Sequence, residues 1–186
     1  MKLETKRLTL REWHNSDIDD LVEGLDDLAV AQWLAFVPHP YTRSHGALWL
    51  QSCIASAAKV PRREYHLAIV LNSEAKVIGG VSLDAIDFQH GTAGGGIWLN
   101  TKYHNRGYGT EAFAARLRFA YEELRLRRIE NGFLQGNAAS CKMLQKLGYK
   151  WEGLKRMLFI RMADGKPKDE CIMALLREDW NNEDSR

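Results

Sequence analysis

His104-Asn105-Arg106-Gly107-Tyr108-Gly109-Thr110-Glu111-Ala112 joins a strand-like run to the clearest amphipathic helix of the chain. Two residues without Cβ at alternate positions let several backbone N–H groups turn into one concavity, and the following helix adds its own unpaired donors and the positive end of its dipole. The turn is built to hold phosphate. Downstream, Phe113, Leu117, Ala120 and Leu124 recur at i, i+4, i+7 and i+11, so this helix lays one face on a sheet. Upstream, Gly94-Gly95-Gly96-Ile97-Trp98-Leu99 reads as a strand entered through three glycines, either a bulge or close backbone approach, or a loop with frayed ends.

Working outward toward the N-terminus, Leu8 and Leu10 alternate with Arg7, Thr9 and Arg11 as a strand with one buried face. Ser16 and Asp19 have the spacing of a capping box, and Ile18, Leu21, Val22, Leu25 and Leu28 continue as a helix that Pro38 and Pro40 interrupt. Thr42 caps a second helix carrying Leu50, Cys53, Ile54 and Ala57 on one side. Tyr65–Leu71 and Val77–Leu83 form an antiparallel hairpin across residues 72–76. Toward the C-terminus come a strand at 127–134, a short helix capped by Asn137 and ended by Gly148, and a hairpin turning at Asp164-Gly165.

The 186 residues, 45% hydrophobic and 27% charged, suit one domain over residues 1–180 with a frayed tail at 181–186. A formal net charge of +2 argues against nucleic acid as a partner, and Arg116, Arg118, Arg125, Arg127 and Arg128 read as a solvated helix face. Cys53, Cys141 and Cys171 are odd in number and widely spaced, with no metal-ligand pattern, which points to a reduced, cytoplasmic protein without a metal. No run approaches the ~20 apolar residues of a membrane span, and residues 2–7 lack the apolar core of an export signal.

Gly107-Tyr108-Gly109-x-x-Ala112 also satisfies a loosened dinucleotide fingerprint, but its setting disfavours a nicotinamide or flavin enzyme. A polar loop, residues 100–106, separates it from the preceding strand. Arg127, Arg128 and Ile129 stand where an acidic ribose ligand belongs.

The same turn, preceded by Gly96-Ile97-Trp98-Leu99 and followed by Asn137-Ala138-Ala139-Ser140 and Lys146-Leu147-Gly148-Tyr149, resembles the GNAT superfamily of acetyl-CoA-dependent N-acetyltransferases, most closely its RimJ/RimL-like, ribosomal-protein-acetylating branch. The resemblance runs from residue 4 to residue 180. It implies an α+β GNAT fold: a mixed, mostly antiparallel twisted sheet with a central splay and helices on both faces. It assigns the coenzyme A diphosphate to His104, Asn105, Arg106, Gly107, Tyr108, Gly109 and Thr110, with His104 in place of the family's usual Gln or Arg. The pantetheine arm falls along Ile97, Trp98 and Leu99, and Asn137 and Ser140 lie against its amide and sulfur.

The implied reaction is direct attack of a neutral primary amine on the acetyl thioester. Ser140 is the expected proton donor to the departing thiolate. Gly94 stands where related sequences carry Glu, which leaves Asp84, Asp87, Glu152 and Asp169 as candidate bases, with Asp169 matching a family position in the last hairpin. The acceptor is a protein N-terminus, possibly ribosomal, or a small amine. The Gly94 departure keeps a rival in view, a non-catalytic acyl-CoA-binding or regulatory module. Trp33, Phe36, His39, Tyr41 and Trp49 are an aromatic cluster in the region that commonly shapes the acceptor pocket, or simply core.

Overall fold

Alternation in Tyr65–Leu71 (β3) and Lys76–Asp87 (β4) pairs Leu67 with Val81 and Ile69 with Gly79, and this antiparallel hairpin seeds the sheet. The computed structural model describes residues 1–180, so the tail expected at 181–186 lies outside the described residues. Around the hairpin stand β1 (Lys2–Glu4), β2 (Leu8–Glu12), α1 (Ile18–Leu25), α2 (Leu28–Ala31), α3 (Arg43–Ala57), β5 (Thr92–Gly94) and β6 (Ile97–Leu99). Beyond them follow α4 (Tyr108–Arg118), β7 (Arg128–Leu134), α5 (Ala138–Lys146), β8 (Lys150–Ile160) and β9 (Pro167–Leu176). The sheet order is β1-β2-β3-β4-β5-β7-β9-β8, with β6 on β4.

One contact departs from the antiparallel pattern. β5 and β7 pair in parallel through Thr92–Arg128 and Ala93–Ile129. The chain then bulges out of the sheet at Gly95 and Gly96 with its β4 register unshifted from Asp84–Gly94 to Val81–Ile97, and β6 continues along β4 without pairing with β7. From that point the two halves of the sheet diverge. Gly95 adopts φ +143°, and a Cβ there would drive into the Ser82 carbonyl and the Arg116 guanidinium, so the glycine is obligatory.

Two cores flank the sheet. Leu10, Ile69, Ile78 and Met173 bury against Phe113 and Leu117 of α4 and Leu144 of α5. On the opposite face Trp13, Ala68 and Val77 pack against Ile18 and Leu21 of α1 and Leu50 and Cys53 of α3. Among the described residues no helix is long and apolar enough to cross a membrane.

Several local expectations change. The first helix is two: Asp27 accepts the Ala29 N–H at 2.8 Å and starts α2, so the run from Ile18 breaks after Leu25. Its beginning is organised by Asp17, which accepts the His14 N–H at 2.8 Å and a bidentate grip from Arg11, whereas Asp19 pairs with Arg43. Ile54 of α3 is exposed. A short β1 precedes the first expected strand, and a π-helical turn, Phe119–Glu123, extends α4. The arginine cluster is not one solvated face: Arg116 is 1% exposed, and Arg128 is paired with Glu130 and Glu152.

Glu111 in the first turn of α4 fastens the N-terminal segment. Its carboxylate accepts from the Thr5 hydroxyl at 2.7 Å, the Arg7 N–H at 2.9 Å and Arg7 Nε at 2.7 Å. Burial pushes this carboxyl upward, but the hydrogen bonds from Thr5 and Arg7 outweigh it and hold it below its ordinary range. A depressed native value makes the contribution to stability present above the ordinary carboxylate range and lost as pH falls through the native one. We predict that Glu111→Gln lowers unfolding stability by about 1–3 kcal/mol at neutral pH in urea titrations. The gap to the unaltered protein should close as the pH is taken below the carboxylate range.

Candidate active site

The turn at 104–110 has the conformation the glycines foreshadow. Asn105 and Gly107 take φ +59° and +81° on either side of Arg106, so the chain doubles back and Gly107 becomes the N-cap of α4 without a side chain. The N–H groups of Gly107, Tyr108, Gly109 and Thr110 have no partner among the described residues. Gly109 is open: a Cβ there would be 3.4 Å from Leu99 Cδ1 and 3.5 Å from Met143 Sδ, so the bare backbone keeps space for a ligand rather than relieving strain. This arrangement fits a diphosphate.

The side chains of the turn serve the protein itself. His104 Nε2 donates to the Leu99 carbonyl at 2.8 Å, closing the loop onto β6, and Arg106 lies near the Tyr103 ring, outside the cleft lining. The cation at the turn is one that strand alternation did not single out. Arg7 donates to the Arg106 carbonyl at 2.9 Å and covers the Tyr108 ring at 4.4 Å.

A cleft of about 570 Å3 runs from this turn between the diverging strands. Asn100 N–H donates to the Ile78 carbonyl and Ser82 N–H to the Gly96 carbonyl, each at 2.9 Å, so residues 96, 98 and 100 spend backbone groups on β4. In an antiparallel ladder the alternate residues point the other way. Ile97 N–H, Ile97 C=O and Leu99 N–H therefore face the cleft. Trp98 also lines the cleft, but its backbone pairs with Gly80 and its ring stacks on Trp13 at 6.4 Å, so its backbone groups are spent on β4.

Across the cleft, Asn137 Oδ1 accepts the Ser140 N–H at 3.1 Å and caps α5, which leaves the Asn137 amide NH2 available. Ser140 Oγ has no partner among the described residues, and both residues line the cleft. Ala29, Val30, Trp33 and Leu34 form the wall on the α2 side. Of the aromatic cluster only Trp33 belongs to it. Tyr41 is buried, Phe36 is exposed against Phe159, His39 lies 3.8 Å from Asp26, and Trp49 packs on Trp13.

The closed end of the cleft is polar and buried. Arg116 donates to the Ser82 carbonyl (2.9 Å), Asn131 Oδ1 (2.8 Å) and the Tyr149 hydroxyl (3.0 Å). Asn131 Nδ2 donates to the Gly95 carbonyl. Burial pushes the Tyr149 phenol up to about 12, against the opposing pull of Arg116, so it remains a proton donor to Asn131 at 2.9 Å.

The expected bases have other partners. Asp84 accepts from Ser82 Oγ (2.9 Å), Asp87 from the His90 N–H (2.9 Å), Glu152 pairs with Arg128 (2.6 Å), and Asp169 accepts the Met157 N–H (2.8 Å) where β8 shifts register. None of the four lines the cleft. The neighbour of Asp169, Glu170, does not line the cleft either, but it reaches the cleft wall. Glu170, opposite Leu134 of β7, folds its side chain over Gly132, a residue of the cleft wall, and its carboxylate has no hydrogen-bond partner among the described residues. Burial holds that carboxyl above its ordinary value, with Lys155 opposing and Glu130 adding to the effect. Gly132, a bare position inside a strand, was the sequence signal for this close approach.

The family model for the "Acetyltransferase (GNAT) domain" matches residues 7–150. The chain is 34% identical over 117 residues to the N-acetyltransferase-named protein YjcK of Bacillus subtilis (strain 168), a match covering 62% of this chain and 64% of the relative. Among solved structures, the ribosomal-protein-S5-alanine acetyltransferase of Vibrio fischeri superposes with a TM-score of 0.80 at 20% identity, covering 97% of this chain and 99% of that one. The acetyltransferase MccE, solved with acetyl-CoA and AMP, gives 0.78 at 20% identity, covering 92% and 93%. These likenesses show the shared fold. A matched domain, a parted sheet and a diphosphate-shaped turn converge: the chain belongs to the GNAT acetyltransferase family, enzymes whose acetyl donor is acetyl-CoA.

Proposed function

We propose that the protein transfers acetyl from acetyl-CoA to a primary amine by direct attack through a tetrahedral intermediate, without an acyl-enzyme. The observation that carries this reading is the row of cleft-facing backbone groups on Ile97 and Leu99 of β6, the strand that leads into the glycine turn at 104–110. An amide-bearing arm laid there would complete the parted sheet as an added strand and bring its sulfur end toward Gly96 and the bulge. Ile97 N–H then faces the thioester oxygen, where a fixed donor is worth most as charge builds in the transition state. When the tetrahedral intermediate collapses the C–S bond breaks, and Ser140 gives a proton to the departing thiolate.

The amine must lose a proton. With Asp169 occupied by Met157, the adjacent Glu170 is the better-placed acceptor, half-buried, without a hydrogen-bond partner among the described residues and set against Gly132 of the cleft wall. This carboxylate supports an enzyme over a bare acyl-CoA-binding module, since it supplies from β9 what Gly94 lacks on β5. A protein N-terminus is the acceptor we favour. Met157, Leu158, Ile160 and Met162 are exposed on and just beyond β8, and this end of the molecule joins the α2 wall through Met162 N–H to the Ala35 carbonyl at 2.9 Å. The ribosomal substrate named for the Vibrio fischeri neighbour supports the same choice. A small amine is the second reading, favoured by Trp33, which stands 3.8 Å from a Cβ placed on Gly136 and narrows the acceptor side. Three unpaired thiols support a cytoplasmic location.

Thiol release from acetyl-CoA, followed across peptide N-termini and small amines, should be positive for at least one amine. Binding without release for every amine would return the module reading. Gly109→Val should weaken acetyl-CoA about ten- to a hundredfold by calorimetry because it crowds the donors, while Gly109→Ala, whose Cβ makes only ordinary contacts at 3.4 Å and beyond, should leave Tm unchanged. Glu170→Gln should cost about 10²- to 10⁴-fold in kcat and abolish the rise of rate with pH through the raised carboxyl, and Ser140→Ala should lower kcat more than acetyl-CoA affinity. An unchanged rate in either variant removes that residue from proton transfer.

A further inference from the structure

We infer that Arg116 is a positioning residue for acetyl transfer: a buried guanidinium, without a carboxylate partner, that locks the Gly95–Gly96 bulge and lends its charge to the closed end of the cleft. This inference rests on the acetyl-transfer reading above and adds a residue outside the acyl-CoA contacts.

A solitary buried cation needs a reason. Arg116 is 1% exposed, forms no ion pair among the described residues, and leaves its Nε without a hydrogen-bond partner. Arginine cannot shed its proton inside a protein, so the cost of taking this charge out of water is borne in full. Phe113 stacks beneath it at 3.7 Å and offsets part of that cost. An aliphatic side chain at this helical position would be the ordinary solution for a core between α4 and the sheet. The charge is kept where packing alone would not ask for it.

Its hydrogen bonds span both rims of the splay. In an unbroken ladder the Ser82 carbonyl would accept the Gly96 N–H, but that N–H turns to Ser82 Oγ at 3.0 Å, and the freed carbonyl is taken by Arg116 Nη1. Arg116 Nη2 holds Asn131 Oδ1 on β7, and the far end of the same amide holds the Gly95 carbonyl. Drawing electron density toward Oδ1 strengthens the bond that Nδ2 donates. One guanidinium thus fixes the direction in which the chain leaves the bulge, and with it the angle of the next cleft-facing donor, Ile97 N–H.

The charge also acts at range. Phe113 and Asn131 line the cleft together with Gly96, so the guanidinium lies one layer behind the wall against which the thioester ends. Buried and screened from water, it biases that end toward negative charge: first the oxyanion, then the thiolate. A pure brace and an electrostatic positioner differ in what their loss changes.

The test compares Arg116→Met and Arg116→Lys with the unaltered protein by Tm, calorimetric acetyl-CoA affinity, kcat, and the infrared stretch of a 13C-labelled thioester carbonyl in bound acetyl-CoA. We expect Arg116→Met to lower Tm, because the Ser82 carbonyl and Asn131 Oδ1 lose a donor, and to keep affinity within about twofold, while kcat falls about ten- to a hundredfold and the carbonyl stretch returns toward its frequency in water. Arg116→Lys, which keeps charge but not the fork, should recover part of the stretch shift and less of kcat. Equal losses of affinity and kcat with an unmoved carbonyl stretch would reduce Arg116 to a brace and overturn the proposal, as would an unchanged kcat with an unchanged stretch. Should Arg116→Met fail to fold, an unshifted carbonyl stretch in Arg116→Lys overturns it and a partial shift supports it. If the unaltered protein binds no acetyl-CoA, it is the acetyl-transfer reading that fails first.

Discussion

A strand that leaves its partner must still find partners for its backbone, and that constraint organises this protein. At Gly95 the chain turns away from β7 while staying on β4, so one row of amide and carbonyl groups in β6 loses its neighbour inside an otherwise continuous sheet. Buried backbone groups without partners are costly. The molecule meets that cost in two ways: at the closed end, side chains of Arg116 and Asn131 take up the orphaned carbonyls, and along the open stretch the groups face a cleft of ligand size. A missing strand and a binding site are here the same feature.

The diphosphate turn answers the same problem at the other end. Helix α4 begins without a side-chain cap, so its first donors are unspent just where β6 finishes. His104 draws the loop back onto Leu99, and Glu111 with Arg7 ties the turn to the first strands. The rigidity of the site therefore comes from contacts remote from any ligand, which is what allows glycines to be used where a ligand must approach.

The chemistry divides along the sheet. Asn137 and Ser140 of α5 line the cleft, and Glu170 reaches its wall at Gly132 from β9, so a hydroxyl and a carboxylate stand at different parts of the same cleft. Behind the closed end, Tyr149 and Arg116 are too deeply buried to touch a substrate and act on it only through Asn131 and the bulge.

Local patterns carried much of this. Alternation in residues 65–71 and 76–87, the spacing of Phe113, Leu117 and Ala120, the glycine turn and the Asn137–Ser140 pair are all short-range features, and each element formed where they stand. Asp27 was missed as a helix start because an apolar run at helical spacing masked the cap within it. Arg116 read as solvated because helical position alone does not say that a guanidinium will be met by a carbonyl freed 34 residues earlier in the chain. Which of the adjacent Asp169 and Glu170 reaches β7 depends on side-chain direction across strands, and the parity of a ladder turns the Trp98 backbone to β4 although the residue lines the cleft. By itself the sequence determined most of the elements, the glycine turn and the family, since these rest on neighbours in the chain; the tertiary structure alone decided which backbone groups stay unpaired and which buried charges surround them, because pairing across strands is settled only when distant segments meet.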